Sequence, residues 1–279
     1  MMLLRVFNPV ATGLALREAV VSIRRDRALV LHMAAREVRD RYAGQVLGVL
    51  WAVFAPLLTM VVYIFAFTFI FKQRLDIEDA GFGYTAYALA GLVPWLAMGD
   101  VLSRSPTAVS GSASLVKQIV FPSEVLPLRT ALASLPQLFV GIVVAVAVSF
   151  LAGRLHLQAL WLLPTAIVLY VTTISGISFL LAAIGVFLKD VREILAFFVT
   201  VGLFLHPILY PPASMPSWLS PLFLASPFSH LIWCFRDSLI EETVAHPWSW
   251  VVSSIVSVLL FATGWRFFRM LKPSFGNAL

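Results

Sequence analysis

Charge is what this sequence has least of. Only 12% of its 279 residues are Asp, Glu, Lys or Arg, against about 25% in a soluble domain, and that shortage excludes an ordinary solvated globule. Cysteine is almost absent: the single Cys234 rules out an internal disulfide and a cysteine-cluster metal site. No GxxxxGK[ST] phosphate loop occurs, so the chain is not itself a P-loop ATPase. HExxH, GxSxG and CxxC are missing as well, which removes the usual zinc-hydrolase, serine-hydrolase and thiol-redox readings. The apolar runs show no heptad seam, so a coiled coil is excluded. No secretory signal is expected, because the first long apolar run starts after residue 42, too late and too long for a cleaved segment.

What is present is hydropathy. Hydrophobic residues make up 60% of the chain and the mean hydropathy is +0.93. A span needs roughly 20 apolar residues to cross about 30 Å of hydrocarbon, and six such stretches are expected, at about 46–71, 84–103, 130–152, 160–187, 194–212 and 247–268. The expected fold is an all-α integral membrane domain of six transmembrane helices, with an amphipathic interface helix before the first and re-entrant outer-side helices before the last. The expected organisation is a cytoplasmic segment 1–45, a transmembrane domain 46–270 and a cytoplasmic tail 271–279. Lys and Arg alternate with these spans: sixteen fall on the side of the two termini and four, Lys72, Arg74, Arg154 and Arg236, on the other. The positive-inside rule then places both termini in the cytoplasm. This bias accounts for the net charge of +6, and no nucleic-acid partner is expected.

Three stretches stand out. "REVRDRY" (36–42) runs without a loop into thirty uncharged residues ending before Lys72. Leu31, Ala35, Val38 and Tyr42 fall on one helical face and the charges on the others, so an amphipathic helix at the membrane surface is expected, turning into the bilayer at Gly44 or Gly48. It serves either as an anchor or as a docking surface. Segment 112–129 is amphipathic, is broken by Pro122 and Pro127, and restarts a helix at Ser123-Glu124; it is a lever for an attached motor, or a plain connection. Residues 207–227 hold six prolines within an uncharged run from Ile194 to Phe235. Irregular backbone survives at membrane depth only inside protein or along a cavity, so short re-entrant helices are expected near 214–224 and 228–240. The alternative is an outer loop bearing the interfacial aromatics Trp218 and Trp233.

Ionisable groups within the spans are few. Asp100 has Arg104 one turn later and reads as a local ion pair. His206, beside Pro207, either meets a polar substrate or is a satisfied packing histidine. Aromatic rings are abundant in the first span (Trp51, Phe54, Tyr63, Phe65, Phe67, Phe69, Phe71) and the fifth (Phe197, Phe198, Phe204, Tyr210). Sugar rings stack their C–H faces on such surfaces, so a sliding polysaccharide is a fitting substrate, with Trp51, Tyr63, Phe67, Trp95, Phe204, His206 and Tyr210 as conduit candidates. Packing is the competing role for each. A rival function is a membrane-embedded glycosyl- or acyltransferase, for which Asp76, Glu78, Asp79, Glu241, Glu242 and His246 are the scattered candidates.

"REVRDRYAGQVLGVLWAVFAPLL", "SLVKQIVFPSEVLPL", "VFLKDVREIL" and "LHPILYPPASMP…SPFSHLIWCFRDSLI" occur in this order along nearly the whole chain. They resemble segments of the polysaccharide-exporting ABC-2 permeases, the O-antigen permeases most of all and the teichoic-acid and capsule permeases more distantly. Ser226 stands where that family often has Asn, and Lys189-Asp190 where Arg-Asp is common. The resemblance implies a homodimer in the bacterial inner membrane that exports a lipid-linked glycan. It also implies two copies of a separate P-loop subunit that binds ATP and Mg, with no cofactor or metal on this chain and no catalytic residue. Arg36, Glu37, Arg39, Asp40, Arg41, Lys117, Gln118, Phe121, Pro122 and Glu124 are then the expected contacts to that subunit. Pro212, Trp218, Pro227 and Trp233 are the expected outer gate. A permease for a drug or simple lipid is the nearest alternative.

Overall fold

The chain's long apolar runs become long helices, and its glycines decide how close those helices come. The structure, a computed structural model, describes residues 9–71, 82–117, 121–211 and 220–279. The first element, α1 (Pro9–Asp40), is a 32-residue helix, longer than the surface helix expected around 31–42. Its inward face is Ala15, Ala19, Val30 and Ala34, all buried, whereas Leu31 is 62% exposed and Ala35 is exposed too. This packed stripe is a second face, beside the Leu31 face that was expected to meet the membrane surface and is left uncovered by protein. Small side chains won this face because they let the helix lie close to its neighbours. The chain then turns through both Gly44 (φ 80) and Gly48 (φ 52), left-handed positions that glycine adopts without a Cβ penalty.

The first membrane-length helix is α2 (Trp51–Phe65), which widens into a π-type stretch over Ala66–Phe71. Next come α3 (Gly83–Arg104), tight 3₁₀ turns over Ser105–Ser112, the single turn α4 (Ala113–Val116), α5 (Val125–Leu132) and α6 (Leu135–Leu151). After α7 (Ala159–Phe187) the remaining helices are α8 (Val191–Leu205), α9 (Ser220–Ala225), α10 (Pro227–Leu239), α11 (Pro247–Leu271) and α12 (Phe275–Ala278). The described residues contain no strand.

Five stretches are long and apolar enough to cross a membrane: Gly48–Ile70, Gly83–Thr107, Val125–Leu151, Ala159–Phe187 and Pro247–Ala278. They match five of the six expected spans. The expected span at 194–212 is not among them. Its helix, α8, stops at Leu205 after 15 residues, about 22 Å long against roughly 30 Å of hydrocarbon. Pro207 explains the stop, because it brings no N–H and its ring clashes with the carbonyl four residues back.

The centre of the bundle is α3. Its window is 83% buried, and α6, α8 and α10 pack around it. Gly91 faces Ile232 and Ile208, Gly99 faces Val199, and Gly141 of α6 faces Val93. Helices α7 and α11 touch backbone to backbone: a Cβ on Gly176 would sit 2.5 Å from the Leu260 carbonyl carbon and from the Phe261 nitrogen. In lipid, helices associate by this kind of close van der Waals packing, since leaving water is no longer the driving force. By contrast, only 17% of the α2 window is buried.

Candidate functional site

The break after α8 is the most constructed part of the molecule. The helix runs antiparallel to α3, with Val199 beside Gly99 and Gly202 against the Trp95 ring. Beyond Leu205 the chain loses its helical hydrogen bonds and passes the start of α3. The freed carbonyls are met one by one. Tyr84 donates its hydroxyl to Leu209 O at 2.8 Å, Tyr87 to Tyr210 O at 3.2 Å, and Arg236 donates Nη2–H to Ile208 O at 2.7 Å. Arg236 is 1% exposed, and its guanidinium lies 3.7 Å above the Tyr87 ring, so a cation–π contact replaces part of its lost hydration. Sequence reasoning counted Arg236 on the outer side, within the short helix expected at 228–240; in the structure it is the donor that makes a non-helical stretch tenable.

Arg236 comes from α10, which lies antiparallel to α3. Phe228 meets Trp95 (centroids 6.1 Å apart), Ile232 meets Gly91, and Arg236 meets Tyr87. Thus α10 begins about midway along α3 and returns to the end where the break emerges. Almost every side chain from Ser229 to Leu239 is buried against α3, α7 and α11. The expected short helices at 214–224 and 228–240 correspond to Ser220–Ala225 and Pro227–Leu239, and residues 212–219 lie outside the described residues. Two of the expected gate residues, Pro212 and Trp218, fall there. Pro227 is the first residue of α10, where a missing N–H costs nothing. Trp233 is buried and stacks on His246 with centroids 5.4 Å apart. Asp237 accepts from the His246 Nδ1–H at 2.8 Å, the His246 amide at 3.1 Å and the Trp250 indole at 2.9 Å, and so fixes the turn into α11. Of the scattered acids considered for an enzyme, Asp76, Glu78 and Asp79 lie outside the described residues, and Glu242 is exposed.

His206 is a packing histidine. It is 5% exposed and lies 4.7 Å from the Trp95 ring. Nδ1 faces Gly202 O at 2.8 Å and Nε2 faces the Ser226 hydroxyl at 2.9 Å. A carbonyl only accepts, so Nδ1 carries the proton and Nε2 accepts from Ser226. The end of α8 is thereby tied to the N-cap of α10.

The other conduit candidates divide by exposure. Phe67 and Trp95 are buried, Phe67 against Tyr84 and Trp95 donating to Val199 O at 3.2 Å. Like His206, they are buried within the chain. Trp51, Tyr63 and Tyr210 are half-buried; Tyr63 stacks on Phe67, and the Tyr210 hydroxyl donates to Phe204 O. Phe204 is 60% exposed. The sequence reading passed over exposed rings on the same helices, Phe54, Phe65 and Phe69 on α2 and Phe197 on α8. Their helical spacing was a usable signal, but counting aromatics did not use it.

At the end of the bundle carrying Arg104 and Arg269, α1 is locked to α3 and α5 by charge. Arg41 Nη1 donates to Asp100 at 2.9 Å, and Asp100 also pairs with Arg104 at 2.6 Å as the sequence suggested. Glu37 pairs with Arg41 at 3.4 Å and with Arg129 at 3.2 Å. Arg129 in turn donates to Ser112 at 2.7 Å. Glu37 and Arg41, expected to meet a partner, are therefore engaged within the chain. Arg36, Arg39 and Asp40 point outward, Arg36 and Asp40 forming an exposed pair at 3.5 Å. Lys117 is exposed, Phe121 and Pro122 are half-buried, and Gln118 lies outside the described residues. Glu124 is 6% exposed and bound by Lys272 at 2.8 Å and Arg269 at 3.4 Å, so it too is an internal anchor. Exposed pairs contribute little, about 0–1 kcal/mol, whereas Glu37 belongs to a partly buried network, and its removal leaves Arg41 and Arg129 each short of a partner. Glu37→Ala should therefore lower the melting temperature of the detergent-purified protein clearly more than Arg36→Ala; equal melting temperatures would refute the network.

A match to the ABC-2 type transporter family covers residues 28–240. The chain belongs to that family. ABC-2 relatives align nearly end to end. The "O-antigen export system permease protein RfbA" of Myxococcus xanthus is 24% identical over 91% of this chain and 96% of its own length. The protein of the same name from Klebsiella pneumoniae is 24% identical over 90% and 95%. The "Polysialic acid transport protein KpsM" of Escherichia coli is 21% identical over 75% and 80%. The ABC-2 match takes in the locked end of α1, the broken α8 and all of α10, whereas the contacts made by His246, Trp250, Arg269 and Lys272 come from beyond it.

Proposed function

We propose that this ABC-2 protein is the membrane-spanning permease subunit of an exporter that carries a lipid-linked polysaccharide outward across a bacterial inner membrane. ATP hydrolysis takes place on a separate subunit that binds ATP and Mg. The observation that carries this reading is the near full-length alignment with O-antigen export permeases. The basic end of the bundle faces the cytoplasm under the positive-inside rule. Two copies of the chain form the path, with the exposed faces of α2 and α8, including Phe54, Phe65, Phe69, Phe197 and Phe204, as the surfaces for a sliding glycan. Tyr63 and Tyr210, half-buried beside those faces, remain secondary candidates. The broken α8 and the buried α10 form the outer gate. Arg36, Arg39, Asp40, Lys117, Phe121 and Pro122 supply the cytoplasmic surface for the ATP-binding partner.

The test is genetic and biochemical. In a strain lacking its own O-antigen permease but retaining glycan synthesis and a matching ATP-binding subunit, the chain should restore surface glycan and co-purify with that subunit. The isolated chain should not hydrolyse ATP. Turnover that survives removal of every co-purifying ATPase would defeat the proposal. Phe197→Ala with Phe204→Ala should reduce export of long glycan while the assembled complex keeps its ATPase activity. Undiminished export would reassign the path to other faces.

A further inference from the structure

We propose that segment Lys272–Ala278 is a clasp that positions residues 112–117 and 121–124, and so sets how much of a partner's motion reaches the spans. This rests on the reading of the chain as a permease driven by an ATP-binding subunit. Three observations carry it. Lys272 Nζ lies 2.9 and 2.8 Å from the two oxygens of Glu124; the carboxylate is buried while the lysine is 37% exposed, so the contact is seated at its Glu124 end. Arg269 reaches Glu124 at 3.4 Å and Glu18 of α1 at 2.7 Å, so the clasp joins the surface helix as well. Phe275 is 0% exposed and sits between Phe268 and Phe187, with centroids 5.2 and 6.2 Å away, which pins α12 to the cytoplasmic end of α7.

The clasp touches its target at one edge. Between Val116, Lys117 and Phe121 on one side and Lys272, Gly276 and Asn277 on the other lies an open groove of about 500 Å³. Glu124 is therefore where the segment is held, and it immediately precedes α5. Helix α5 carries Arg129, which holds both Ser112 and Glu37. A push on 112–117 and 121–124 thus has a continuous route of seated charges, from Lys272 through Glu124 and α5 to α1 and, through Arg41, to α3. Glu124 and Lys272 are positioning residues: they transmit load and meet neither ATP nor glycan.

The test uses the full permease–ATPase complex in membranes, comparing wild type with Lys272→Met, Lys272→Arg and Phe275→Ala. Lys272→Met should co-purify with the ATP-binding subunit and hydrolyse ATP, yet export several-fold less glycan per ATP, within the roughly 2- to 30-fold range of single-residue coupling effects. Lys272→Arg should restore the ratio, and Phe275→Ala should lower it. Hydrogen exchange of amides in 113–117 and 121–128 should speed up in Lys272→Met with or without the partner. An unchanged ratio and unchanged exchange in both Lys272→Met and Phe275→Ala overturn the clasp, as does a loss that arginine does not restore. If Lys272→Met fails to accumulate, Phe275→Ala alone decides. A wild-type chain that binds no ATP-binding subunit defeats the functional reading instead, and the exchange measurement still judges the clasp.

Discussion

Gly176→Leu should remove most of the folded protein from the membrane fraction. At this position α7 and α11 touch backbone to backbone: a Cβ would meet the Leu260 carbonyl carbon and the Phe261 nitrogen at 2.5 Å, and Gly264 packs against Gly176 from the other helix. No flexible side chain is there to give way, so the two helices would have to part along their whole contact. Overpacking a side-chain site costs about 1–3 kcal/mol, and a backbone site stands at or above the top of that range. A loss of about 3 kcal/mol lowers the folded-to-unfolded ratio by roughly a hundredfold. Gly111→Ala is the control, because a Cβ there meets nothing within 4 Å. The comparison is size-exclusion profile and membrane yield of the two variants at equal expression. A monodisperse Gly176→Leu protein at wild-type yield would show that the α7–α11 crossing is looser than described.

Tyr84→Phe combined with Tyr87→Phe should destabilise the break after α8 by about 2–4 kcal/mol, given that each buried polar group left unpaired costs about 1–3 kcal/mol. The substitution removes two hydroxyls and almost no volume, so it isolates the carbonyls of Leu209 and Tyr210. Tyr84 should carry the larger share. Its bond is the shorter, 2.8 Å against 3.2 Å, and its side chain is buried where that of Tyr87 is half-buried, although both rings border the open pocket with Arg154 and Glu241. Water can replace the second donor more readily than the first. Thermal melts of both single variants and the double variant in detergent check this, and equal losses from the two singles would mean that solvent already reaches both carbonyls.

Five membrane helices were legible because twenty uncharged apolar residues admit few other fates. The remaining stretch, 194–212, carries its own marker: Pro207 ends the helix after 15 residues, and hydropathy averages over a residue that stops a helix outright. The face of α1 was ambiguous in the sequence. Leu31, Ala35, Val38 and Tyr42 make one stripe, Ala15, Ala19, Val30 and Ala34 another, and only the neighbour's distance selects the smaller side chains. The site was less legible for a different reason. Arg41 finds Asp100 across 59 residues, and Lys272 finds Glu124 across 148. Charges that look free for a partner in the sequence are free only if the fold has not already used them. Trp95 and His206 show the same for rings: residue type suggested contact with a sugar, and burial assigned them to each other.

The shortness of α8 bears on how a hydrophilic polymer crosses a membrane at all. At 15 residues it falls about 8 Å short of the hydrocarbon depth, and the backbone that follows it has the carbonyls of Ile208, Leu209 and Tyr210 already paired. Along this helix the insulating layer is thinned to about two-thirds or three-quarters of its normal depth. A glycan moving beside it would exchange bulk hydration for protein contacts over that shorter stretch only. On the proposed two-copy assembly, no water-filled tunnel through the full bilayer is needed; the pair has to complete only the portion alongside α8.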